Sequence, residues 1–166
     1  MNGSTPRYTP KTRSATELLV VHCSATRASQ DIGVREITQW HLQRGFDTIG
    51  YHYVIRRDGD LETGRPENAI GAHVKGHNAR SVGICMAGGV NNAGKPSNNF
   101  TAAQFVALHE LLLQLRKRHP NARILGHRDL SPDLNKDGKI TPNEYIKACP
   151  SFDVETWLKA HDAPLM

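Results

Sequence analysis

With 166 residues, of which 38% are hydrophobic and 22% charged, the chain suits one compact domain with a real core, a composition that argues against disorder. No apolar run approaches the ~20 residues that a spanning helix needs, so membrane insertion is not expected. Lys and Arg number 21 against 16 Asp and Glu, a net charge of +5, which favours encounter with an anionic polymer without selecting one.

No Lys/Arg block is interleaved with aromatics, so nucleic acid is not an expected partner. Cys23, Cys85 and Cys149 are an odd number at irregular separations. That speaks against a disulfide framework and leaves at least one thiol for packing or metal. Residues 1–16, rich in Ser, Thr, Pro and Arg, read as a flexible leader before a domain over 17–166. The polar N-terminus lacks the apolar stretch of a signal peptide, so the chain is expected to stay in the cytoplasm until something releases it.

Leu18-Leu19-Val20-Val21 is a continuous apolar run, expected as a buried strand that delivers His22 at its end. Val34, Ile37 and His41 recur at helical spacing between Asp31 and Gly45. Tyr51 to Arg56 alternates like a strand, Asp58-Gly59 makes a hairpin turn, and Leu61 continues on the far side. Ser81 to Met86 reads as a central strand running into Gly88-Gly89. The clearest helix is Thr101 to Arg118, where Thr101 and Gln104 form a capping box and Phe105, Leu108, Leu112 and Leu115 an apolar stripe. A short strand at Arg123-Ile124-Leu125 leads to Gly126-His127, and a last helix follows Asp153 with Trp157 and Leu158 turned inward. The alternation implies an α/β fold, a central mixed sheet flanked by helices.

Nine histidines are more than packing usually demands. Two stand at strand ends, His22 and His127, and Cys149 precedes a proline. Two imidazoles and a thiolate leave one position open on a tetrahedral zinc, the arrangement of a catalytic site. No local spacing links the three. Taken singly, each histidine is more often a surface or core residue than a ligand.

The blocks VHCSAT (21–26), GYHYVIRRDG (50–59), GAHVKGHN (71–78), SVGICMAGG (81–89) and KACPSFD (147–153) closely resemble the type 2 N-acetylmuramoyl-L-alanine amidases. That group includes the small bacteriophage lysozymes that are chemically amidases and, more distantly, the animal peptidoglycan recognition proteins. The resemblance runs from about Leu18 to Trp157. It implies an amidase/peptidoglycan-recognition-protein-like fold and zinc held by His22, His127 and Cys149. Tyr51 and Lys147 are implied as catalytic auxiliaries, with the role of Tyr51 as base, acid or orienter left open. The partner implied is bacterial peptidoglycan, and the setting a monomeric phage or prophage endolysin awaiting release to the cell wall; a cytoplasmic wall-recycling amidase is the other setting. His73, His77 and Asn78, in a glycine-bounded loop, and Arg65, suited to a stem-peptide carboxylate, are candidate substrate contacts. Cys23 and Cys85 read as small core residues, and His52 as support or core.

Between His127 and Cys149, residues 133–144 fit the D-x-[DN]-x-[DN]-G-x5-E calcium loop. Asp133, Asn135 and Asp137 supply side-chain oxygens, Lys139 its carbonyl, and Glu144 two oxygens, with Gly138 at the sharp turn. Pro132 argues against a full helix before the loop, so the site is expected as half an EF-hand. Three competing functions remain at this level: a non-catalytic peptidoglycan-binding module, a regulator of phage RNA polymerase, and a calcium sensor.

Overall fold

The protein is described by a computed structural model covering residues 8–131, 134, 136, 140 and 148–161. Five strands, β1 (Leu18–Cys23), β2 (Tyr53–Ile55), β3 (Leu61–Thr63), β4 (Ser81–Met86) and β5 (Arg123–Gly126), form one sheet in the order β3-β2-β4-β1-β5. Only the β2–β3 hairpin is antiparallel; β4 runs parallel to β2 and β1, and β1 parallel to β5. Around it lie α1 (Val34–Gln43), α2 (Ala102–Arg118) and α3 (Val154–His161). The sheet is therefore mixed and flanked by helices, as the alternation implies.

Because side chains alternate along a strand, the sheet buries two different sets. Leu19, Val21, Ile55, Val82, Ile84, Met86 and Ile124 face α2 and α3, meeting Leu108, Leu111, Leu112, Leu115, Val154 and Leu158. Val54, Cys85 and Ala87 face the other way, where Ile32, Ile37 and Ile49 cover them. Strands β1 and β4 are buried at every position, the pattern expected of parallel strands covered on both faces.

Helix α2 starts where the capping box predicts. Gln104 N donates to Thr101 Oγ1 at 3.1 Å and Thr101 N to Gln104 Oε1 at 3.0 Å. Gln104 is itself fully buried, and its Nε2 donates to the carbonyls of Ile55 (3.2 Å) and Ala87 (2.8 Å). One side chain thus closes the helix start and ties it to β2 and the end of β4. The hairpin turn also falls at Asp58-Gly59: Gly59 has φ +87, a conformation that glycine reaches without a side-chain clash.

Two expectations change. The strand expected over Tyr51–Arg56 is regular only at Tyr53–Ile55. The leader expected over 1–16 is docked in its second part: Ile70 N donates to Lys11 O and Arg13 N to Asn68 O, both at 2.7 Å. Arg13 is buried, giving Nη1 to Ala69 O at 2.7 Å and Nε to Thr16 Oγ1 at 2.8 Å. Polar composition misled here, because the anchoring groups are backbone amides and one guanidinium rather than apolar side chains. Residues 1–7, Lys147 and the proposed calcium ligands Asp133, Asn135, Asp137, Lys139 and Glu144 lie outside the described residues. Among the described residues no helix is long and apolar enough to cross a membrane.

Candidate active site

The parallel strands β4, β1 and β5 carry the site at their carboxyl ends, where an open α/β sheet places its ligands. β1 lies between its two neighbours and brings His22 in beside the end of β5, where Gly126 hands the chain to a single 3-10 turn beginning at His127. The loop bearing Cys149 is lashed to both. Arg128 N donates to Cys149 O at 2.8 Å, Cys23 N to Cys149 Sγ at 3.1 Å, and Ser151 Oγ to Gly89 O at 2.8 Å.

The result is a cluster of His22, His127 and Cys149 whose ligand atoms lie within 4.8 Å of one another. Tetrahedral zinc with bonds of about 2.0–2.3 Å sets its ligand atoms about 3.3–3.6 Å apart. A contraction of about an ångström, within side-chain reach, closes this cluster on such an ion. Two imidazoles and a thiol are also the donor types that zinc prefers, so the residues present fit the group. In the protein alone, the hydrogen bond with Cys23 and burial push the Cys149 thiol well above its ordinary value. A bound cation inverts that preference and holds a coordinating thiol as thiolate.

A groove of about 720 Å³ opens over the cluster, lined among others by Tyr51, His73, Asn78, Arg44, Lys75 and Arg128. Tyr51 stacks at a tilt against His22, ring centroids 5.0 Å apart. Burial raises its phenol well above the ordinary value, so the hydroxyl stays protonated. Beneath Tyr51, His41 accepts from Gly50 N at 2.9 Å, and burial followed by the charges of Arg44 and Arg65 lowers its pKa to about 4. His52 is saturated: Nε2 donates to Ala69 O at 2.7 Å, Nδ1 accepts from Gly83 N at 2.9 Å, and burial lowers its pKa to about 4. It is a supporting core residue.

The four candidate substrate contacts separate. His73 and Asn78 line the groove, but Asn78 Oδ1 already accepts from the backbone N of His73 (2.8 Å) and Val74 (2.9 Å), which folds the loop. His77 turns to Arg80, whose Nη2 donates to its Nδ1 at 2.6 Å, and does not line the groove. Arg65 is buried, with Nε on Ile49 O at 2.8 Å, Nη1 on Ile70 O at 2.9 Å, and the guanidinium over the Tyr8 ring. Its charge is spent on main-chain carbonyls, so it offers no fork to a carboxylate. The cations that do line the groove, Arg44, Lys75 and Arg128, escaped the sequence reading. Lys75 sits inside the block that carries His73, and Arg128 directly follows His127, which is the available signal.

Residues 12–150 match the N-acetylmuramoyl-L-alanine amidase family. The chain belongs to that family. The amidase is 47% identical over 147 residues to the endolysin of Enterobacteria phage K11, covering 89% of this chain and 88% of that protein. Its structure resembles the N-acetylmuramoyl-L-alanine amidase LysC from Clostridium intestinale URNW, with a TM-score of 0.69 at 28% identity and 93% of each chain covered. Drosophila PGRP-LB shares the fold, with a TM-score of 0.69 at 21% identity over 96% of this chain and 89% of that one. The amidase is thus a peptidoglycan hydrolase acting on the amide between N-acetylmuramic acid and L-alanine, and the binding-module reading loses its ground.

Proposed function

We propose that this amidase is a zinc-dependent endolysin in which His22, His127 and Cys149 hold the ion. The observation carrying the proposal is the convergence of these two imidazoles and one thiol, within 4.8 Å, at the base of a groove. Bound zinc supplies Lewis acidity and a water made nucleophilic near pH 7. Tyr51, whose ring lines the groove against His22, keeps a protonated hydroxyl that would donate to the lactyl oxygen or the leaving amine on release from Cys85. Lys147, protonated at neutral pH, contributes a fixed positive charge where the tetrahedral oxyanion develops. Arg44, Lys75 and Arg128 make the groove attractive to the carboxylates of a stem peptide.

The calcium loop belongs to the same proposal. Asp133, Asn135, Asp137, Lys139 and Glu144 bind calcium and order the segment that presents Lys147 and Cys149, raising stability by mass action. The protein works as a monomer on peptidoglycan, made in the host cytoplasm and reaching the wall through a lesion made by another protein.

The test is the clearing of purified peptidoglycan by wild type, by Cys149→Ser, and by chelated protein re-supplied with zinc. Clearing with new N-terminal L-alanine, lost in the variant and restored by zinc, is expected. A zinc-loaded wild type that leaves the wall intact would overturn the proposal. Calorimetric titration checks the calcium loop separately, since no heat at millimolar calcium removes that part and leaves the amidase standing.

A further inference from the structure

His73 stands closer to the candidate ligands than any substrate contact needs to, and its hydrogen bonds have only one consistent reading. Ser81 Oγ lies 2.8 Å from His77 O, which can only accept, so the hydroxyl donates there. The Ser81 oxygen lies 3.1 Å from His73 Nε2 and therefore accepts from an Nε2–H. A neutral imidazole with its proton on Nε2 has its lone pair on Nδ1. His73 Nδ1 is 2.8 Å from His22 Nε2, so His22 donates through Nε2–H and carries its lone pair on Nδ1.

The fold clears space for this arrangement. A Cβ on Gly83, in the middle of β4, would stand 2.5 Å from His73 Cγ, and one on Gly71 would stand 2.7 Å from His73 Cδ2. Glycine inside a strand weakens it unless something must come close, and here that something is the His73 ring. Asn78 fixes the other side by holding the backbone amides of His73 and Val74.

We infer that His73 is a positioning residue which fixes the tautomer and orientation of His22, so that His22 presents Nδ1 to the metal. The chain from the His77 carbonyl through Ser81 and His73 to His22 is an outer shell for one ligand, the kind of support that sets ligand orientation and basicity. This assignment rests on the zinc reading of the cluster and gives His73 a duty different from contacting the glycan or peptide.

The test uses the full chain and zinc itself as the probe, with affinity measured by competition against a chromogenic chelator. His73→Leu keeps the bulk and removes the acceptor, and is expected to weaken zinc binding about 10–100-fold. His73→Asn returns an acceptor near the Nδ1 position and is expected to recover most of that loss. Ser81→Ala, which leaves the His73 ring in place, is expected to fall between them. Long-range proton–nitrogen NMR on wild type should show His22 protonated on Nε2 both before and after zinc loading. Zinc binding by His73→Leu equal to wild type, with only KM raised, would overturn the assignment and make His73 a substrate contact. A His22 proton on Nδ1 in the zinc-loaded protein would overturn it as well. Should wild type take up no zinc at all, the metal centre itself falls, and this assignment with it.

Discussion

Gly83→Ala puts one methyl group where β4 faces His73. The new Cβ would meet His73 Cγ at 2.5 Å and Cδ2 and Nδ1 at 2.7 Å, about 0.9 and 0.7 Å short of the 3.4 Å at which ordinary contact begins. Strand geometry alone favours alanine over glycine by roughly 0.5–1 kcal/mol. Overpacking a filled site costs about 1–3 kcal/mol, so a net loss of about 1–2 kcal/mol is expected. For a domain of this size that lowers the melting temperature by about 2–8 °C. The ring cannot shift by that distance and keep its 2.8 Å bond to His22, because a displacement of about 0.9 Å towards or away from the partner takes the pair outside hydrogen-bond range. Calorimetric melting and zinc competition should therefore fall together. In a His73→Ala background the obstacle is gone, and Gly83→Ala should become neutral or slightly stabilising. A Gly83→Ala protein that melts and binds zinc like wild type would refute the argument, as would equal losses in both backgrounds.

Acid should weaken the protein through Glu67. Burial opposes its charge, but hydrogen bonds from Arg118, Tyr53 and His119 outweigh burial and hold its pKa at about 2, against 4.5 unperturbed. A depressed carboxyl stabilises the fold above its unfolded pKa and loses that stabilisation as pH falls from 4.5 towards 2. Melting temperatures across this window should drop more steeply for wild type than for Glu67→Gln; parallel curves would remove Glu67 from the account. Gln104→Leu leaves the amide of Thr101 without its acceptor and removes one of two hydrogen bonds from each of the Ile55 and Ala87 carbonyls, which keep Ala87 N and Arg57 Nη1. About 3 kcal/mol of stability should be lost in urea unfolding, and a loss below about 1 kcal/mol would show that water replaces the amide.

The sheet and its helices were legible because their signals are local. An unbroken apolar run marks β1, the stretch from Ser81 to Met86 before a glycine pair marks β4, and a capping pair marks the first turn of α2. Period and spacing work over ten residues and fail over a hundred. His22, His127 and Cys149 come together only because β1 pairs with β5 and the Cys149 loop bonds to both, and nothing in their spacing announces that pairing. Arg65 and His77 were misjudged for a related reason. An arginine aimed at main-chain carbonyls and one aimed at a ligand look alike in sequence, and the difference lies in which way the side chain enters the fold. His73, expected as a substrate contact, does line the groove, while its pairing with His22, 51 residues away, has no mark in the sequence. Residues 11–13 were read as loose because main-chain pairing leaves no mark in composition.

The strand order carries a consequence for how the molecule comes into being. β1 is made before the other four strands of the sheet, yet it occupies an interior position between β4 and β5. Its second edge stays open until about a hundred further residues have been made. A growing chain can pair β2 with β3 and then lay β4 beside them, but the cleft between β1 and β5 closes only once β5 has been made. Premature termination anywhere before residue 123 should therefore yield fragments with an unpaired apolar edge, prone to clump rather than to cut. The cell that makes this enzyme is shielded from partial products by the same pairing that builds the finished one.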